Sequence, residues 1–273
     1  MHSDSVKNLS AYADQNHALS LAAARLELYE GKMRKKSKKR NRMIGVALVI
    51  IVLLFGIITV KFIQYEKIIE DTERTWLITQ YGPRDVNSMF YTLYGGKGQL
   101  IVVDGGWTED ADFVRQTIKE MGGKVDAWIL THPHQDHIGA FNAIYSDLQG
   151  IEIKKVYTVD MPSPKLCQER AHWDSVDTYN DFLDLNVKNL KYVYPGDELN
   201  ICGLKVDIYN AYDEHVKELS QDYLNDGSMM FKVQGEKSSM LFCADVGKAM
   251  SDYLLDTWGE KLKADYIQMG HHG

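Results

Sequence analysis

Residues Thr131–His137 read THPHQDH and directly follow the apolar run Ala127–Leu130. Three histidines and one aspartate therefore occupy six consecutive positions. A short apolar run predicts a buried strand, so the segment is expected to form a turn at that strand's end, where its side chains converge. Imidazole and carboxylate are ligands that suit Zn²⁺, Mn²⁺ and Fe²⁺. The segment predicts a metal site; a surface patch of histidines is the alternative.

The number of ligand-type residues bears on how many ions bind. A single tetrahedral ion that keeps one water needs only three protein ligands, and this segment offers four. We therefore expect two adjacent divalent ions, either Zn²⁺ or Mn²⁺.

Short apolar runs alternate with helical patterns from Thr75 onward, which predicts an α/β (α+β) domain. The predicted strands are Trp76–Tyr81, Ser88–Tyr94, Gln99–Val103, Ala127–Leu130, Lys154–Val159, Lys191–Tyr194, Leu204–Tyr209, Met229–Val233, Met240–Cys243 and Tyr266–Met269. The predicted helices are Asp110–Met121, Ile138–Leu148 and Ala249–Trp258.

A different region precedes this domain. Met43–Val60 carries no charged side chain, and with Lys61–Ile63 it reaches the roughly 20 residues that cross a bilayer as a helix. We predict a basic tail over 1–42, a transmembrane helix over 43–63, a helical stalk over 64–74 and the α/β domain over 75–273. A buried core helix and a cleaved signal peptide are the disfavoured alternatives.

Basic residues are concentrated immediately before the apolar run, with eight lysines and arginines between Lys32 and Arg42. Positive charge marks the cytoplasmic side of a membrane segment. We therefore predict a single-pass protein of the cell membrane, with a cytoplasmic N-terminus and an extracytoplasmic α/β domain. Residues 8–31 read as a helix that ends at Gly31, either a partner or membrane-surface helix or a weakly ordered tail.

Net charge limits the partners. Of 31 basic and 38 acidic residues, 11 and 4 lie before residue 64, which leaves 20 and 34 in the remainder, a net charge of −14. This charge repels polyanions at long range. A nucleic acid stays open as a substrate, but tight non-specific binding is disfavoured.

The cysteines Cys167, Cys202 and Cys243 form no compact metal motif. Unpaired thiols are the favoured interpretation, and one disulfide is the alternative. Cys243 shares a strand face with Asp245 and is expected to be a small buried residue rather than part of the site.

The histidine segment resembles the H-x-H-x-D-H signature of the metallo-β-lactamase superfamily, whose fold is a four-layer αββα sandwich. Ile101–Gly106 (IVVDGG) is similar to the family's strand-then-Asp-Gly element, in which Asp104 supports the histidine loop. Leu241–Asp245 and Gly270–Gly273 (GHHG) resemble the elements that carry the bridging aspartate and the last ligand. Asn225–Ser228 (NDGS) most resembles the hydrolase domain of DNA-uptake competence proteins.

The resemblance implies a ligand set. His132 and His134 are expected to hold the first ion, and Asp136 and His137 the second. Asp245 bridges the two ions, and either His271 or His272 completes the second site.

This sequence departs from the family in two places. Most members carry a further histidine where Asn225–Ser228 lies, so Asp226 is the expected replacement ligand and His215 a remoter one, while Asn225 and Ser228 are candidates for substrate contact. The family's chain also continues beyond its last ligand motif, so we expect a sandwich truncated at its C-terminal end.

The implied activity is metal-dependent hydrolysis of a phosphodiester or of an ester-type small molecule by a hydroxide shared between two ions. Asp136 is expected to orient the nucleophile, and His271 or His272 to protonate the leaving group. Residues 161–186 read either as a lid or as a packed helical hairpin. The alternative function is a degenerate metal-binding sensor that signals through the tail. An oxidoreductase resembling the flavodiiron proteins is disfavoured, because that branch changes the histidine at the position of His134.

Overall fold

A computed structural model of the chain describes residues 3–82 and 90–272, without the side chains at 3–20, 22–24, 71, 73 and 272. The chain divides into two compact units, Met1–Ile69 and Glu70–Gly273.

The first unit is helical. Helix α1 spans Ser3–Glu73 and extends through Gly31, so the predicted helix end there is wrong. A glycine costs a helix only about 1 kcal/mol, and an ion pair between Arg34 and Glu30, 3.7 Å apart, spans this position. Within the described ranges, α1 is the one helix long and apolar enough to be a membrane span or a signal sequence, and residues 43–63 are exposed throughout.

The second unit contains the strands and the remaining helices. Its strands are β1 Trp76–Tyr81, β2 Phe90–Gly95, β3 Leu100–Val103, β4 Lys124–Val125, β5 Ala127–Ile129, β6 Glu152–Ile153, β7 Val156–Val159, β8 Leu190–Val193, β9 Glu198–Ile201, β10 Leu204–Asn210, β11 Met230–Gln234, β12 Ser239–Phe242 and β13 Tyr266–Gln268. Its helices are α2 Ala111–Glu120, α3 Gln135–Ser146, α4 Pro164–Arg170, α5 Asp177–Asp184, α6 Glu214–Leu219, α7 Tyr223–Asp226 and α8 Lys248–Trp258.

These strands form two main sheets. Across the described residues, the first sheet has the order β1-β2-β3-β5-β7-β8 and the second has the order β13-β12-β11-β10-β9. Strands β3, β5, β7 and β8 are parallel, and β13 is parallel to β12. The mixed α/β fold expected from the sequence is confirmed, and the predicted strands lie within two residues of those observed, except that residues 88–89 fall outside the described ranges.

Aromatic contacts connect the layers. Tyr91 of β2 meets Phe242 of β12 edge to face, with ring centroids 5.1 Å apart, so the two sheets face each other there. Helix α3 packs through Phe141 on Trp128 of β5, at a centroid distance of 5.0 Å. The end of α8 packs on the second sheet, where the indole of Trp258 donates to the backbone oxygen of Tyr209.

The topology brings four chain segments to one edge. Parallel strands end at the same edge of a sheet, so β3 delivers Asp104 beside the Thr131–His137 segment that follows β5. In the second sheet, β12 delivers Asp245 and β13 delivers His271 in the same way. A hydrogen bond of 2.8 Å from the backbone N–H of Met229 to the oxygen of Thr131 joins the two edges.

Close packing at Gly139 holds the first turns of α3 against the segment after β3. A Cβ at this position would lie 2.6 Å from the backbone nitrogen of Thr108 and 3.0 Å from the carbonyl carbon of Trp107. Both neighbours are backbone atoms, so the contact cannot be relieved by rotating a side chain.

We therefore expect Gly139→Ala to lower the free energy of unfolding by about 1–3 kcal/mol, although alanine is the better helix former. Urea unfolding of the full chain in detergent solution measures this. Gly82→Ala is the matched control, because no atom of the described residues lies within 4 Å of the added Cβ. Equal stability of both variants and the wild type would contradict the close packing.

Candidate metal centre

Asp104 organises the histidine segment from the end of β3. Its Oδ1 accepts from the backbone N–H of Thr131 at 2.8 Å. Its Oδ2 lies 2.8 Å from both the hydroxyl of Thr131 and Nδ1 of His137. The carboxylate is buried and its residue has a φ of 56°, a backbone region that non-glycine residues rarely adopt. This geometry agrees with the supporting role expected for Asp104.

Three buried side chains converge beside this carboxylate. His132, His137 and Asp245 are buried, and their potential ligand atoms all lie within 4.8 Å of one another. Nε2 of His137 is 3.3 Å from Oδ1 of Asp245, and Nε2 of His132 is 4.0 Å from Oδ2 of Asp245. The structure thus brings together residues more than a hundred positions apart in the chain.

His134 and Asp136 lie at the start of α3. The helix begins at Gln135 rather than at Ile138 as predicted, with His134 at its N-cap position and Asp136 in its first turn. Nδ1 of His134 lies 3.0 Å from Nε2 of His132, and Oδ2 of Asp136 lies 3.7 Å from Nε2 of His137. Both side chains therefore border the converging group.

The electrostatics favour a cation. Burial lowers the pKa of His137, but the carboxylates of Asp104 and Asp245 raise it more, so that its pKa lies well above the ordinary value. Burial and then the charge of Asp104 raise the pKa of Tyr91, which keeps this phenol neutral. The two buried carboxylates thus create a negative local potential, which stabilises a bound positive charge.

Hydrogen bonds from β13 and from residue 228 fix the turn that carries Asp245. Oε1 of Gln268 accepts from the backbone N–H groups of Cys243 and Ala244, at 2.9 and 2.8 Å. The N–H of Asp245 donates to Oγ of Ser228 at 3.2 Å. Ser228, predicted as a candidate for substrate contact, is fully buried here.

Left-handed backbone occurs at three residues of this edge. Asp104, Ala244 and His271 have φ values of 56°, 46° and 51°. Left-handed conformations of non-glycine residues cost free energy and cluster at functional sites.

The last predicted motif also reaches this edge. The N–H of His271 donates to the oxygen of Ala244 at 3.0 Å, and the residue is exposed. The side chain of His272 lies outside the described residues, so the choice between the two histidines stays a prediction.

Asp226 has other contacts. It is buried; its Oδ1 accepts from the N–H of Gly247 at 2.8 Å, and its Oδ2 accepts from the hydroxyl of Ser220. Both carboxylate oxygens therefore join α7 to its neighbours, and the residue is not part of the converging group.

The other candidates lie apart from the group. His215 is exposed on α6, 3.1 Å from the carboxylate of Asp213 and stacked on Tyr253. Asn225 donates through Nδ2 to Asp222 at 2.8 Å. All three cysteines are unpaired, as favoured by the sequence, and burial raises the pKa of Cys243 to about 11.

Two residues of the centre could not be predicted from the sequence, because no motif marks them. One is Gln268. The other is Asp174, whose Oδ2 lies 2.7 Å from Nε2 of His134. Asp174 lies in the segment for which a lid and a packed hairpin were both considered. Tyr179 and Phe182 are buried, as in a packed hairpin, whereas Trp173 is 63% exposed.

The donor set fits a divalent cation. Ligand atoms about 2 Å from a Zn²⁺ ion stand roughly 3–4 Å from one another, which is the range found between Asp245 and the two histidines. The negative potential of the buried carboxylates also favours a bound cation. These side chains could therefore hold a metal ion.

Removing the charge of Asp104 should destabilise this edge. Asp104→Asn replaces one acceptor by an amide donor facing buried donors, and we expect the free energy of unfolding to fall by about 2–4 kcal/mol. Urea unfolding of the full chain in detergent solution measures the change. Asp112→Asn, at an exposed position of α2, is the control; an equally small effect of both would show that Asp104 does not hold the segment.

Comparisons with known proteins identify the family that this site resembles. Residues 81–154 match the family model of the Metallo-beta-lactamase superfamily. RNase aCSPSF2 of Saccharolobus solfataricus is 26% identical over 172 residues, 60% of this chain and 32% of the relative. A hydroxyacylglutathione hydrolase of Aliivibrio fischeri is 29% identical over 121 residues, 43% of this chain and 46% of the relative. The chain thus spans less than half the length of these curated relatives.

Solved structures give similar matches. MEM-A1, a subclass B3 metallo-beta-lactamase from a soil metagenome library, is 18% identical, with 71% of this chain and 76% of that chain covered and a TM-score of 0.46. Rubredoxin oxygen:oxidoreductase of Desulfovibrio gigas is 17% identical, with 62% and 39% covered and a TM-score of 0.42. The family model covers the strand that ends at Asp104 and the histidine segment, so this part of the chain is similar to the metallo-β-lactamase superfamily.

Proposed function

We propose that this protein is a membrane-anchored, metal-dependent hydrolase. The observation that carries the proposal is the convergence of His132, His137 and Asp245, three buried ligand-type side chains with potential ligand atoms within 4.8 Å of one another. Burying such groups together without a cation is unfavourable, so the arrangement is best explained as a metal site in a four-layer αββα domain.

We assign the ligands of two divalent ions, Zn²⁺ or Mn²⁺, as the resemblance to the superfamily signature implies. His132 and His134, whose Nε2 and Nδ1 lie 3.0 Å apart, are assigned to the first ion. Asp136 and His137 are assigned to the second ion, with Asp245 shared and either His271 or His272 as the last ligand. When bound, such ions lower the pKa of water enough to supply hydroxide near neutral pH and stabilise negative charge on the attacked group.

The protein's own residues orient the reaction. The side chain of Asp136 is 20% exposed, so it can accept a hydrogen bond from water and direct a lone pair toward the substrate. His271 is exposed at the rim, where an imidazole can donate a proton to a leaving oxygen. Asp104 and Gln268 hold the two ligand-bearing turns and do not contact substrate in this scheme.

Phosphodiesters rank first among the substrate classes, and esters or thioesters of small molecules rank second. The RNase relative and the competence-like Asn225–Ser228 element favour the first class, and the hydroxyacylglutathione hydrolase relatives favour the second. The charge of −14 on residues 64–273 disfavours long-range attraction of nucleic acid, so a small phosphodiester is the preferred substrate.

The membrane part of the proposal rests on α1. Residues 43–63 form an exposed apolar stretch of this helix, preceded by the basic residues between Lys32 and Arg42. Apolar side chains on every face of a helix need a nonpolar environment, and the basic flank assigns the N-terminus to the cytoplasm.

We expect His132→Ala to lower metal content and to reduce hydrolysis of bis-(4-nitrophenyl) phosphate by about 100-fold or more, because it removes a buried ligand. Elemental analysis of the full chain, purified in detergent solution and loaded with Zn²⁺ or Mn²⁺, is paired with the rate assay. A thioester assay in parallel distinguishes the two substrate classes.

His215→Ala is the matched control, since this histidine is exposed and lies outside the group. Unchanged metal content and rate in His132→Ala would contradict the site assignment. Bound metal without turnover of either substrate would contradict the hydrolase and favour a metal-binding sensor.

The topology has a separate test. Protease added to intact spheroplasts that express the chain should digest the unit Glu70–Gly273 and leave the basic end protected, because the positive flank stays inside. Immunoblots against tags at each terminus measure this. Digestion only after lysis would contradict the proposed orientation.

A further inference from the structure

A short loop between α4 and α5 carries an acidic residue to the histidine segment. The loop comprises residues 171–176, and Asp174 lies near its middle. Its Oδ2 is 2.7 Å from Nε2 of His134, and the two side chains are only 19% and 13% exposed. A charge-assisted hydrogen bond of this length between largely buried side chains is strong.

The fold fixes this contact from both sides. Ala171 and Val176, which bracket the loop, are buried. The amide of Asn142 in α3 donates to the backbone oxygen of Thr178 in α5 at 3.0 Å. Because His134 is at the N-cap position of α3, the same helix positions the histidine and the loop that carries its carboxylate partner.

The hydrogen bonds around the three histidines indicate which ring nitrogens carry protons. The hydroxyl of Thr131 has one proton, and Oδ2 of Asp104 accepts it at 2.8 Å. Oγ1 of Thr131 then accepts from Nδ1 of His132, 3.1 Å away, and Asp104 accepts from Nδ1 of His137. Both histidines therefore present Nε2 to Asp245.

His134 is also held through one ring nitrogen, but here the nitrogen is Nε2 and not Nδ1. Asp174 accepts from Nε2, so the lone pair of His134 is on Nδ1, the atom that lies 3.0 Å from Nε2 of His132. These two nitrogens are within hydrogen-bonding distance of each other, and a bound cation would take the place of the proton between them. A carboxylate that holds the distal nitrogen of a ligating histidine orients the ring and raises its basicity.

We propose that Asp174 is a positioning residue that makes Nδ1 of His134 a metal-binding atom and couples the 171–176 loop to the metal centre. This inference rests on the proposed function, since it takes His134 as a ligand. Trp173 adjoins Asp174 in the chain and is 63% exposed, which makes its ring a candidate for contact with a substrate.

The test compares Asp174→Ala and Asp174→Asn with Asp184→Ala in the full chain in detergent solution. Asp184 is exposed at the end of α5, so its variant makes the same change of charge away from the site. Zn²⁺ affinity is measured by competition with a chromogenic chelator. Long-range ¹⁵N–¹H spectra of histidine-labelled, metal-free protein report which nitrogen of His134 carries the proton.

We expect Asp174→Ala to weaken Zn²⁺ binding by about 10–100-fold and to give a mixture of His134 tautomers. Asp174→Asn keeps a neutral hydrogen-bond acceptor, so it should recover part of the Zn²⁺ affinity and part of the preference for one His134 tautomer. Asp184→Ala should match the wild type. A purely structural role would leave the tautomer unchanged.

The outcomes separate the two proposals. Wild-type protein that binds Zn²⁺, together with an Asp174→Ala variant of equal affinity and unchanged tautomer, would overturn the role of Asp174 and leave the metal site intact. Wild-type protein that binds no Zn²⁺ would overturn the proposed function and this inference with it. If Asp174→Ala does not fold, the affinity and tautomer of Asp174→Asn decide: wild-type values for both would overturn the role.

Discussion

A buried carboxylate and the three donors around it form the constraint on which this site depends. Asp104 binds the backbone and hydroxyl of Thr131 and the ring of His137, with each contact at 2.8 Å. These contacts join the ends of β3 and β5 and set the direction of the His137 ring. A charge this deeply buried is stable only with such partners, so the fold and the ligand geometry are determined together.

The second sheet supplies Asp245, and hydrogen bonds to the backbone also hold the turn that carries this residue. Gln268 at the end of β13 holds the turn before Asp245, and Ser228 accepts from the N–H of Asp245. The bond from Met229 to Thr131 connects this turn to the histidine segment. Residues far apart in the chain thus form one hydrogen-bonded edge, and left-handed backbone at Ala244 adds strain there.

Much of this arrangement could be predicted because it has local signals. Apolar runs locate most strands, and the dense segment 131–137 together with Asp104 and Asp245 locates the site. The contacts of Asp174 and Gln268 could not be predicted, since they join segments 40 and 24 positions apart with no motif at either residue. The contacts of Asp226 could not be predicted for a related reason: the sequence shows a carboxylate near the site but not that Ser220 and Gly247 donate to its oxygens.

The edge formed by Asp104, the histidine segment and Asp245 is proposed to be a cation site, with hydrolysis as its consequence. Anomalous diffraction from crystals of the full chain grown with Zn²⁺, collected on both sides of the zinc absorption edge, tests this most directly. The predicted result is two peaks, one within about 2.2 Å of His132 and one within that distance of His137, both adjoining Asp245. Well-ordered side chains at these positions without a peak between them, or peaks confined to other residues, would contradict it.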